Sequence, residues 1–184
     1  MKKFLIILFA LVAVASGAAK AQTNIFKVNV FSPIVRTGSV FYERNISADK
    51  SAQLGLFYTG FSVEGTSFRG FGVTPEFRQY LSKSKEAPEG FYVAPFLRYQ
   101  SFKLTADEDV TEGAEGKATY NTFGGGLLIG NQWILADRFV VDVFLGPSYN
   151  KGNIKVTSGT EDDFDTDAFG GFGIRTGLAF GIRF

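Results

Sequence analysis

The sequence predicts an all-β chain: a transmembrane, up-and-down antiparallel β-barrel of eight strands, preceded by a signal peptide. Three observations predict it. Eight separate segments alternate with period two, which places successive side chains on opposite faces of a strand. One face is bulky and apolar while the other is rich in glycine and sparsely charged, the reverse of what a water-facing barrel exterior needs. Beyond Gln22 no apolar run approaches the length of a membrane helix, and none repeats with the helical period.

The leader comes first. Lys2 and Lys3 precede an apolar run over 4–15, then Ser16, Gly17 and Ala19-Lys20-Ala21 ahead of Gln22. That order of basic, apolar and small residues is a signal peptide, with cleavage expected after Ala21. Its apolar core falls short of the roughly 20 residues that cross a bilayer as a helix. The expected division is therefore 1–21 signal peptide and 22–184 barrel, and 184 residues leave no room for a second large domain.

The strands follow in order. They are expected over about 24–32, 37–46, 51–61, 70–81, 90–104, 119–135, 139–156 and 168–184. Outward positions in the first four include Phe26 and Val28, Val40 and Tyr42, Leu54 and Leu56, then Phe71, Val73 and Phe77. The next three continue with Val93, Leu97 and Tyr99, with Phe123, Leu127, Ile129 and Trp133, and with Val141, Val143, Leu145 and Tyr149. The last segment is the clearest. Phe172, Ile174, Thr176, Leu178, Phe180, Ile182 and Phe184 form one face, against Gly171, Gly173, Arg175, Gly177, Ala179, Gly181 and Arg183. Tyr42, Tyr149 and Trp133 stand toward strand ends, where polar-tipped rings favour a membrane interface.

Eight being even, both chain ends fall on one side. Connections at 47–50, 82–89 and 136–138 then lie on the periplasmic side, and those at 33–36, 62–69, 105–118 and 157–167 on the outer side. Short inner turns and longer outer loops suit a barrel of this kind. Pro75, Pro95 and Pro147 fall mid-strand and predict bulges or bends, because proline removes a ladder hydrogen bond.

The inward face carries Lys27, Glu43, Glu76, Arg78, Arg98, Asp142 and Arg175. Three acids against four bases in a confined lumen are expected to pair with one another, Arg78 and Arg98 beside Glu76. Eight strands leave an interior that side chains fill, so a plug is expected rather than a wide pore; a narrow channel is the alternative.

Other chemistry is mostly excluded. The chain has no Cys and no His, which rules out disulfides, thiolate sites, a lipid-anchoring cysteine and the histidine-based arrangement of membrane hydrolases. A carboxylate-only mechanism on Asp142 or Glu76 is the remaining enzymatic alternative; no catalytic residue, metal site or cofactor is expected. Asp163, Asp165 and Asp167 have calcium-loop spacing, but Ala168 and Ile174 stand where an EF-hand needs Gly and Glu. The 19 basic and 18 acidic residues offer no attraction to nucleic acid. Ten of the acidic ones crowd two outer stretches, 107–115 and 161–167.

The C-terminus resembles the sorting signal of outer-membrane barrels on Arg175, Gly177, Phe180, Ile182 and the terminal Phe184. The whole region after Gln22 resembles the small OmpA/OmpX-like barrels. Through Ser39-Val40-Phe41-Tyr42-Glu43-Arg44, Val73-Thr74-Pro75-Glu76-Phe77-Arg78 and Phe91-Tyr92-Val93-Ala94-Pro95-Phe96 it is similar to an uncharacterised barrel family of Bacteroidota. The resemblance implies a Gram-negative outer membrane as location and recognition by the barrel-assembly machinery. For such a barrel we further expect contact with membrane lipid and lipopolysaccharide, a monomeric state and a structural or surface-interaction role without catalysis.

Overall fold

The computed structural model describes residues 23–63, 66–106, 116–158 and 171–184. The expected signal peptide, both acidic stretches and the calcium-like spacing lie outside the described residues.

Eight strands form: β1 (Asn24–Asn29), β2 (Thr37–Ser47), β3 (Lys50–Val63), β4 (Thr66–Tyr80), β5 (Gly90–Ala106), β6 (Gly116–Leu135), β7 (Phe139–Ser158) and β8 (Gly171–Arg183). Each pairs antiparallel with the next, and β8 pairs back onto β1 to close the barrel. The closing seam ends at the last residue: Asn24 N–H donates to the Phe184 carbonyl at 3.0 Å and Phe184 N–H donates to the Asn24 carbonyl at 2.9 Å. Closure leaves no edge strand to template aggregation.

Side chains alternate as the period of two requires. Lys27 is fully buried between Phe26 and Val28, each 43% exposed. On β8, Phe180 and Ile182 are each 44% exposed while Ala179 is sealed and Arg175 is buried. The outward row of β7 runs Phe139, Val141, Val143, Leu145, Pro147, Tyr149 and then turns polar at Lys151, Asn153 and Lys155. At about 3.3 Å per residue and a 40° tilt, that apolar row stands roughly 25 Å tall. The neighbours agree in height: Phe123 pairs with Tyr99 on one side and Lys151 on the other, and Arg69 pairs with Lys103 just above. The strands therefore carry an apolar belt below and a polar, basic skirt above.

Several sequence expectations need correction. β1 stops at Asn29, and a 3-10 turn over Ser32–Val35 carries the chain to β2. The outer loop expected at 62–69 is mostly strand, because β3 and β4 stay paired to Val63 and Thr66. The three mid-strand prolines produce no register shift. Pairing skips Pro75 and Pro95 between β4 and β5, and Pro147 between β6 and β7, yet register resumes unchanged beyond each gap. The reason is local: a strand residue's N–H and C=O point to the same neighbour, so each proline weakens one ladder and leaves the other intact. Shifts occur instead at Asn45/Ser47 and beside Lys117.

The interior is also more aromatic than expected. Phe41, Phe96, Phe144, Tyr80 and Tyr92 pack inside, with Phe102 and Tyr120 in a separate cluster higher up. Glycines on adjacent strands make the room. A Cβ on Gly177 would overlap the Phe144 ring, and one on Gly70 the Phe102 ring. Gly177→Val is expected to lower stability by about 1–3 kcal/mol through overpacking, measured as the urea midpoint of the detergent-folded protein; an unchanged midpoint would mean the ring can retreat.

The inner turns are tight. Ala136 and Asp137 both adopt left-handed backbone, with φ of 50° and 56°, the sense a two-residue hairpin turn requires. In the β2–β3 turn, Gln79, Ser47 and Lys50 hydrogen-bond the Asp49 carboxylate and hold its pKa down at about 2. The β4–β5 connection turns inward, burying Ala87 and Pro88 beneath the barrel.

Candidate functional site

Strand parity sends Lys27 (β1), Glu43 (β2), Glu76 and Arg78 (β4), Asp142 (β7) and Arg175 (β8) into the lumen, where closure brings distant positions together. Lys27 Nζ donates to Glu43 Oε2 at 2.6 Å, Asp142 Oδ2 at 2.8 Å and Gln132 Oε1 at 2.6 Å. Arg78 Nη1 donates to the same Asp142 oxygen at 2.8 Å and lies 3.4 Å from Glu43 Oε2. Its Nη2 reaches Glu76 Oε2 at 3.3 Å, and Arg175 Nη2 takes Glu76 Oε1 at 2.6 Å. Six of the seven expected ions thus form one chain of contacts, buried to within 8% exposure at Arg175.

Neutral partners complete it. Tyr92 donates its hydroxyl to Asp142 Oδ1 at 2.8 Å, and Tyr80 and Ser51 donate theirs to Glu43 Oε1. Gln132 passes its amide hydrogen to the Pro88 carbonyl at 2.6 Å, tying the cluster to the connection that closes the inner end. The Arg78 guanidinium also lies 4.3 Å from the Tyr92 ring centre. Sequence reasoning singled out none of Ser51, Tyr80, Tyr92 or Gln132 as members. The signal was present: Tyr80 shares parity with Glu76 and Arg78, and Tyr92 with Arg98.

Arg98 departs from expectation. It faces the lumen but, among the described residues, makes no ion pair, and its Nε has no hydrogen-bond partner. Glu76 pairs with Phe96 in the ladder, so Arg98 stands two residues higher, and both Glu76 oxygens are already taken by Arg78 and Arg175. Above the cluster opens a cavity of about 430 Å³, lined by Arg98, Arg175, Gln100, Thr74 and Asn29 among others. Among the described residues, four bases against three acids leave the lumen one positive charge in excess, at the height of this cavity.

The residues that resemble a sorting signal lie along β8 and beyond its end as alternation requires. Arg175 and Gly177 point inward, while Phe180, Ile182 and the 67% exposed Phe184 point out. Among the described residues no acidic cluster has the geometry to hold a metal ion.

A family model described as "Protein of unknown function (DUF3575)" matches residues 5–156. The chain belongs to this family. The resemblance read from the sequence, to an uncharacterised family of barrels and to small eight-stranded outer-membrane barrels, is thereby borne out. No curated protein matches the sequence. Among solved structures, the chain is similar to a major outer membrane protein from Thermus thermophilus, with TM-score 0.61 and 14% identity over 90% of this chain and 100% of that one. It is also similar to Neisserial surface protein A, with TM-score 0.46 and 12% identity over 88% and 93% of the two chains. The N-terminal barrel domain of Pseudomonas aeruginosa OprF gives 0.43 and 14% over 89% and 96%. The Thermus protein shares the closed eight-stranded fold with this member of the family.

Proposed function

We propose that this family member is a non-enzymatic outer-membrane barrel with a filled interior, serving a structural or surface-interaction role in a Gram-negative envelope. The observation that carries the reading is the inversion of faces. Charged side chains are sealed inside while a belt of Phe, Leu, Ile and Val faces outward, an arrangement hydrocarbon stabilises and water opposes. The basic skirt above the belt, at Arg69, Lys103, Lys151 and Lys155, suits the phosphates of lipopolysaccharide and supports an outer-facing long-strand end. A leader of signal-peptide pattern supports export, and the outward Phe180, Ile182 and Phe184 support recognition of β8 by the barrel-assembly machinery. The protein acts as a monomer.

The occupied carboxylates of the lumen support the non-enzymatic reading. Both oxygens of Asp142 accept hydrogen bonds from Lys27, Arg78 and Tyr92, and both of Glu76 from arginines, so neither is free to take a substrate proton. The cluster and the buried Pro88 at the inner end support a lumen closed to ions.

Cell fractionation tests the reading. The protein is expected in the outer membrane, running at different mobility with and without boiling; a soluble periplasmic species would refute it. Planar-bilayer recording should give no discrete conductance. Reproducible steps altered in Arg98→Ala would instead establish the narrow-channel alternative.

A further inference from the structure

We propose that the outer half of the lumen is a dead-end binding site for a small oxyanion, a carboxylate or phosphate, held between Arg98 and Arg175.

The site is bordered by two arginines, one of them without an ion pair among the described residues. Arg175 is buried, spends Nη2 on Glu76, and leaves Nη1 without a partner among the described residues; Arg98 leaves Nε in the same condition. Both side chains line the one cavity. The guanidiniums are fixed from the side: Arg175 lies 4.7 Å from the Phe96 ring centre and 5.2 Å from that of Phe144, and Arg98 lies 5.5 Å from Phe96. The two charges therefore sit within about 10 Å of each other on a shared ring, and their repulsion is relieved by an anion between them. Arginine has five donors and no acceptor, so the complement must bring oxygen lone pairs. The planar fork suits a carboxylate or phosphate over a spherical halide. Gln100 stands beside Arg98 with an amide to contribute, its carbonyl already accepting from Thr122 at 3.3 Å.

Charge and shape limit the ligand further. The single positive excess among the described lumen residues favours one negative charge, and the aromatic walls at Phe41, Phe57 and Phe144 accept an apolar body behind it. A cavity of about 430 Å³ lies in the range for small-molecule sites. The ion cluster below prevents passage, so the ligand enters and leaves by the loop end. This goes beyond a structural role, and it does not depend on which membrane the barrel occupies.

The test uses the full folded chain in detergent, labelled with ¹⁵N, and follows arginine Nε–H resonances during titration with sodium phosphate and, separately, sodium acetate. Sodium chloride at matched ionic strength is the control. Saturable shifts of the Arg98 and Arg175 signals, absent with chloride, are expected. Arg98→Gln should weaken the apparent affinity by about tenfold or more while keeping the heat-dependent gel mobility of the wild type. Gln100→Leu should weaken it less. Shifts no different from those with chloride, or wild-type affinity in folded Arg98→Gln, would overturn the proposal. Should Arg98→Gln fail to fold, the wild-type titration and Gln100→Leu still decide it.

Discussion

Arg78→Leu is expected to destabilise the folded barrel by about 3–5 kcal/mol, the cost of breaking a buried ion network from one side. Arg78 is fully buried and is the hub: it touches Asp142, Glu43, Glu76 and Gln132 and stacks on Tyr92. Removing it leaves three buried carboxylates facing Lys27 and Arg175, with the Arg78 donors lost. Unfolding by urea in detergent micelles, read from gel mobility, measures the loss. Asp142→Leu in the same chain removes one of the stranded acids, so the double variant should recover part of the loss. Additive losses would mean the two residues act separately, against the shared geometry at Asp142 Oδ2.

The second large effect belongs to the outside. Leu127→Arg places a charge midway up the outward row of β6, between Phe123 and Trp133, and is expected to cost about 2–4 kcal/mol in a lipid bilayer. Asn153→Arg, on β7 above the belt, should cost less than about 1 kcal/mol. Unfolding from phospholipid vesicles compares the two. Equal costs at both heights would remove the evidence for a hydrocarbon-facing belt.

What the sequence made legible follows from range. Alternation is local, so parity alone assigned Lys27, Glu43, Arg78 and Asp142 inward and Phe26, Leu127 and Phe180 outward. Closure needed only the count of segments. The identity of each ion's partner was not legible, because Lys27 and Asp142 are 115 positions apart and meet only through barrel register. Register also explains Arg98, which parity placed inside and height placed above the acids. The inward rings Phe41, Phe96 and Phe144 share parity with Glu43, Arg98 and Asp142. Only parity separates them from the many outward aromatics, although the glycines opposite them mark the space. The 62–69 segment read as loop because its residues are polar, yet polar strands continue wherever pairing persists beyond the apolar belt.

Trp133 offers the most direct test of the inverted faces, since it is the only tryptophan in the chain and lies on the outward side of β6, 42% exposed. Its fluorescence should be quenched strongly by bromine atoms on lipid acyl chains when the protein is folded in vesicles, and weakly by aqueous iodide. Efficient quenching by iodide with no effect of brominated lipid would place that face in water and contradict the account.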